Sequence, residues 1–250
     1  MATESKWADG PFKLISSPKS RLPDTPDIYI ANEMAIAHNL YLLPLNAIYV
    51  QAPHITTTKD KKNFLQYCLF WIDAIETHHT IEEEILFPEI EKYSVKGIMD
   101  SNVQEHEAFV KEMKGFEEYV RKTFETPEKL DGNELRGLID RFGKELTDHL
   151  HAEIETLLSL KEYDPECNEA RKAQDLCKAR LEAESSITVE LPFALSARDA
   201  TYENGINGQF KFPWFIPYLT SWVFSRKHKE VWEFAPCDFH GNPKPLRTGA

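Results

Sequence analysis

The sequence predicts an all-α protein built around a bundle of four helices, and three observations carry that prediction. Four consecutive segments, 27–51, 58–92, 101–125 and 132–162, repeat apolar residues at three- and four-residue spacing, the period of a helix with one buried face. Two of these segments set a His and a Glu four residues apart, His78–Glu82 and His149–Glu153, so that one helical face presents an imidazole and a carboxylate together. Proline, the main helix breaker, concentrates instead in residues 1–26 and 185–250.

The elements follow in order. Residues 1–26 hold Pro11, Pro18, Pro23 and Pro26 among Ser, Lys and Asp, and read as an extended N-terminal tail. Residues 27–162 read as the helical bundle, with Thr58, Ser101 and Asp131 as candidate N-caps. Pro44 should kink the first helix near its middle. Pro88 should end or bend the second near Phe87, because proline lacks an N–H and its ring collides with the preceding turn.

A fifth stretch, 166–184, is strongly charged with few apolar positions and reads as a surface helix. Beyond it the chain is Pro-broken and crowded with Phe210, Phe212, Trp214, Phe215, Tyr218, Trp222, Phe224 and Trp232. The expectation is that 163–250, this helix plus an aromatic extension, packs on the bundle as an extra layer. The aromatics also suit a cover over the bundle's site, a subunit interface, or contact with a membrane surface aided by Arg226, Lys227, His228 and Lys229.

The hydrophobic stripes choose among competing His–Glu pairs. Counting back from His78 gives Ile75, Trp71, Cys68 and Phe64, and forward from Glu82 gives Ile85, a frame that is apolar apart from the pair itself. The rival frame, Leu65, Leu69, Ile72, Glu76, His79, Glu83 and Leu86, adds a third ionisable group, so His78–Glu82 is preferred. In the fourth segment His149 and Glu153 share a frame with Leu135, Ile139, Phe142, Leu146, Leu157 and Leu160, whereas His151–Glu155 lies among Lys144 and Asp148 on a solvated face. His106 follows the apolar stripe of the third segment and His38 that of the first. One buried imidazole commonly has a neighbouring polar partner, but four His and two Glu on the apolar faces of four helices are costly unless something satisfies them jointly, and a metal cluster does.

Bulk properties narrow the function. The chain has 250 residues, enough for one ample core, and a net charge of −12 that argues against a nucleic-acid partner. Its four cysteines form no CxxC pair and read as reduced thiols. Neither the apolar core of a signal peptide nor a membrane-spanning apolar run occurs, so a cytoplasmic protein without a transmembrane segment is expected.

His38, then His78-xxx-Glu82 followed by Ile85-Leu86-Phe87-Pro88, then Glu105-His106-Glu107, then His149-xxx-Glu153 followed by Leu157-Leu158, together resemble the hemerythrin and HHE cation-binding family over about residues 27–162. The resemblance implies an up-down four-helix bundle around a non-haem di-iron centre. It implies Glu82 and Glu153 as bridges and His38, His78, His106 and His149 as terminal ligands, with iron as the metal, although this donor set also suits Mn or Zn. Oxygen-carrying members have a further His one turn after the third-helix histidine, where this chain has Val110. The expected consequence is an open coordination position for water, O2, peroxide, NO or a substrate, unless His79, Tyr41 or a C-terminal group fills it. The implied function is binding or activation of O2-type ligands, with oxidation of a hydrophobic small molecule as the enzymatic form and O2, NO or iron binding, storage or sensing as the non-enzymatic one.

Overall fold

Helical periodicity in the sequence becomes long helices in the structure, a computed structural model that describes residues 7–209 and 213–248. The bundle comprises α2 (Tyr29–Gln51), α3 (Thr58–Ile81), α5 (Asp100–Phe124) and α6 (Gly132–Ser159). The short α1 (Pro18–Arg21) precedes it, and α4 (Phe87–Tyr93) continues the line of α3. No strand occurs among the described residues. Aromatic rings from three helices fill the core: Trp71 lies 5.9 Å from Phe116 and 6.1 Å from Phe142, and its indole N–H donates to the Tyr41 carbonyl at 2.9 Å.

Local chemistry sets the helix ends. Asp131 caps α6 as expected, its Oδ1 accepting the N–H of Asn133 at 2.9 Å and of Glu134 at 3.2 Å. The cap of α3 is Thr57 rather than Thr58, with its hydroxyl oxygen accepting the Asp60 N–H, and α5 starts from Met99 without a side-chain cap instead of from Ser101.

Pro44 sits inside α2, which continues through it. Pro88 has a larger effect, reached one turn before it: residues Glu82–Leu86 form a π-helical segment between α3 and α4. The ring of Pro88 would meet the carbonyl four residues back, and a widened turn at that place removes the conflict without ending the helix. Glu82 is the first residue of the widened turn.

Residues 7–17 run extended but are no free tail. Two buried asparagines of α2 hold them: Asn39 takes the Ile15 N–H at 2.8 Å and donates to its carbonyl at 2.9 Å, and Asn46 does the same for Phe12 at 2.8 and 2.7 Å. Gly143 of α6 makes the close approach possible, since a Cβ there would stand 2.3 Å from the Phe12 ring.

The C-terminal region also docks on the bundle, through Phe234 against Phe64 (5.4 Å), Trp232 stacked on Phe70 (5.3 Å) and the Gln51 side-chain amide donating to the Phe234 carbonyl (2.9 Å). These anchors lie two or more turns from His78 along α3, so this docking face is not a cover over the His–Glu cluster. The expected surface helix, α7 (Asn168–Glu184), comes closer: Ala170 and Ala173 are buried, α7 packs against the π-helical segment, and Arg180 lies 3.6 Å from Glu84. Phe210 and Phe212 lie outside the described residues.

Candidate metal centre

Six polar side chains on four helices meet inside the bundle. His38 comes from α2, His78 from the last turn of α3, Glu82 from the π-helical segment, His106 from α5, and His149 and Glu153 from α6. His38, Glu82, His106, His149 and Glu153 are each at most 2% exposed.

Each carboxylate reaches two groups of imidazoles. Glu82 Oε1 is 3.0 Å from His78 Nε2 and 3.9 Å from His38 Nε2, while its Oε2 is 3.7 Å from His106 Nε2. Glu153 Oε2 lies 3.4 Å from His38 Nε2 and 3.8 Å from His149 Nε2. The cluster therefore has two halves with the carboxylates between them.

His79, the residue of the disfavoured frame, completes the second half. It is 6% exposed, its ring centroid is 4.3 Å from that of His106 and 5.7 Å from that of His149, and the donor atoms of the three come within 4.8 Å of one another. His38, His78 and Glu82 form the other group of that compactness. Both frames of α3 reach the core, since Leu65, Leu69 and Ile72 are buried along with Phe64, Cys68 and Trp71. That double stripe was visible in the sequence; the residue opposite it was not. His79, on a different helix from Val110, thus lies beside His106, within reach of the position that Val110 leaves open.

The outward nitrogens have partners that fix the tautomers. His38 Nδ1 donates to the Leu150 carbonyl at 2.8 Å, a partner that can only accept. Nδ1 of His106 faces Glu83 Oε1 at 2.7 Å, and Nδ1 of His149 faces Glu105 Oε2 at 3.0 Å. Glu83 makes this inner contact although its side chain is 45% exposed. With Nδ1–H directed outward, the Nε2 lone pairs of His106 and His149 face each other at 2.9 Å, an arrangement that a cation between them relieves.

Beyond those ion-pair contacts the inward atoms make no hydrogen bond. His38 Nε2, His78 Nε2, both nitrogens of His79 and all four carboxylate oxygens of Glu82 and Glu153 are buried without a hydrogen bond. So many orphaned donor atoms converging in one place would be strongly unfavourable by themselves, and they fit bound metal.

Electrostatics follow from burial and pairing. Burial opposes charge on His38, but Glu153 and Glu82 outweigh it and raise its pKa to about 9. Burial also opposes ionisation of Glu82, and the neighbouring His78 and His38 overcome it, holding the carboxyl well below its ordinary range. His149, pressed mainly by burial, falls to about 3, and His79 is also pushed well down by burial. Tyr41, its ring centroid 4.8 Å from that of His78, stays a neutral phenol because burial and then Glu82 raise its pKa. His151 lies outside the cluster and bonds the Lys13 carbonyl at 3.0 Å.

Residues 43–160 match the family described as Hemerythrin HHE cation binding domain, a span containing every member of the cluster except His38. The chain is also 32% identical over 248 residues to "Dimeric xanthone biosynthesis cluster protein R11" of Cryptosporiopsis sp. (strain 8999), covering 96% of this chain and 92% of that protein. No solved structure matches. The match over residues 43–160, with His/Glu groups that could hold a metal cation at the centre of a helical bundle, shows that this chain belongs to the hemerythrin HHE cation-binding family.

Proposed function

We propose that the chain binds a pair of iron ions between Glu82 and Glu153 and uses them to bind and activate O2-type ligands, oxidising a hydrophobic aromatic small molecule. The observation that carries this reading is the sharing of two buried carboxylates between two groups of converging imidazoles. His38 and His78 would hold one ion, and His79, His106 and His149 the other. Iron held by these residues would supply the electrons for O2 chemistry, which no side chain here provides.

The residues of the chain do the rest. The His38 half offers two nitrogens and the His79 half three, so an external ligand has more room on the His38 half, beside Tyr41. A neutral phenol there can donate a hydrogen bond to a ligand that gains negative charge. The buried rings of Phe109 and Phe87, packed against the imidazoles of His79, His106 and His149, exclude water and strengthen each such contact. The aromatic substrate class rests on the relative's name, since a xanthone is a fused aromatic ketone.

A second reading, reversible binding of O2 or NO without turnover, gains weight from His79, whose nitrogen leaves fewer open positions than the sequence suggested. One experiment separates the two. The protein is loaded with Fe(II) without oxygen and mixed with O2 in a stopped-flow spectrometer, with and without a xanthone-type phenol. Oxidised product and multiple turnovers support the enzyme; a spectrum that returns fully on removing O2, with the phenol unchanged, supports the carrier. Iron content that stays well below two per chain after loading would sink both.

A further inference from the structure

A second feature lies far from the metal centre in character. The short α8 (Glu190–Ser196) is followed by α9 (Ile216–Trp222), which is built inside out: Thr220 is fully buried, while Trp214 is 80%, Tyr218 45% and Trp222 66% exposed. These three rings form a ladder at four-residue spacing, with centroids 6.3 and 6.0 Å apart, so they share one face. Phe215, Leu219 and Val223 follow the same spacing beside them and are also exposed. Half of the large exposed hydrophobic residues of the described chain, six of twelve, therefore fall within positions 214–223.

Charge distinguishes what would cover this face. The chain carries a net −12, yet between Glu203 and Glu230 it has no Asp or Glu and has Lys211, Arg226, Lys227 and Lys229. Arg226, Lys227 and Lys229 are exposed, while His228 between them turns inward to a ring contact with Phe70 at 5.0 Å, fixing the turn. A twofold pairing of two copies through this face would bring like charges together. A Trp and Tyr row next to a cationic turn matches the boundary of an anionic bilayer, where rings of mixed character settle among the headgroups and Lys and Arg meet the phosphates. No helix is long and apolar enough to cross a membrane, so the contact would be one of surface docking.

We propose that α9 and the turn at 226–229 dock this protein on membranes carrying anionic lipid. Full-length protein should sediment with vesicles of phosphatidylcholine containing phosphatidylserine at least about tenfold more than with pure phosphatidylcholine vesicles, and high salt should erase the difference. Trp214→Ser with Trp222→Ser, and separately Lys227→Glu with Lys229→Glu, should each lower binding to the phosphatidylcholine level while leaving the melting temperature and metal content unchanged. Failure to sediment with either vesicle would overturn the proposal. So would equal binding to both, or a dimer seen by light scattering that the Trp variant breaks while vesicles bind nothing.

Discussion

The two halves of the metal centre differ in what stands behind them. On the side of His38 and His78, two imidazoles meet the shared carboxylates; Nδ1 of His38 rests on a backbone carbonyl, and the ring of Tyr41 lies against His78. On the other side His79, His106 and His149 gather; His106 and His149 approach the same carboxylates and are backed by the side chains of Glu83 and Glu105. A carboxylate behind an imidazole makes it a stronger donor and stabilises positive charge on what it binds. Under the proposed function that difference would give the halves different tasks: the His79 half, with three imidazoles and two carboxylates behind them, would be the more saturated, and the His38 half the one a ligand enters.

The largest effects should come from the groups both halves share. Glu82→Ala or Glu153→Ala should reduce iron from about two per chain to below roughly 0.2, because neither half retains its oxygen donors. Elemental analysis after anaerobic loading and desalting measures this. Loss of one ion only would mean that the carboxylates belong to separate sites.

Next come variants confined to one half. His78→Ala and His79→Ala should each leave about one metal per chain. With Co(II) in place of iron, the two survivors should have different absorption spectra, one from a nitrogen-rich and one from an oxygen-rich site. His151→Ala should keep both metals. If His79→Ala also keeps both with unchanged spectra, the asymmetry is not one of ligand number.

That comparison also marks how much was legible in the sequence. Helices α2, α3, α5 and α6 could be read because each has an apolar stripe of helical period, and the same stripes picked out His38, His78, His106 and His149. The place of His79 is harder to read, because its frame carries the further ionisable Glu76, yet Leu65, Leu69 and Ile72 of that frame lie in the core and α3 is buried on two faces. The π-helical turn at Glu82 has no periodic signature beyond Pro88. The contacts of Glu83 and Glu105 link residues 23 and 44 positions apart, which spacing along one helix cannot reveal. The docking of residues 7–17 was hidden for the same reason, as it depends on Asn39 and Asn46 of α2.

A smaller effect isolates the electron-rich backing itself. Glu83→Gln and Glu105→Gln keep an oxygen to accept the imidazole N–H and remove only the charge. Each should weaken binding of the second metal by about 10- to 100-fold, read by competition with a chelator, and leave the first unchanged. Equal weakening of both metals would show that the charge acts on the whole cluster and not on one half.

The smallest expected effect concerns protons in the chelated protein. His38 has a folded pKa of about 9 against an ordinary 6.5, so its contribution to stability is fully present below pH 6.5 and is lost as pH rises through 9. His149 runs the other way: with a folded pKa of about 3 against 6.5, it makes the unfolded chain bind the extra proton, so stability should rise with pH between about 3 and 6.5. The depressed carboxyl of Glu82 reinforces the acid-side loss. Denaturant unfolding of the metal-free protein should therefore show greatest stability near pH 6.5 and decline toward pH 9. Metal on the His38 half takes the place of that proton, so the alkaline decline should disappear in the loaded protein. It should reappear in a His78→Ala variant that keeps only the His79-side metal. A metal-free protein equally stable at pH 6.5 and 9.5 would show that His38 holds no proton there, and that the two halves do not differ in this respect.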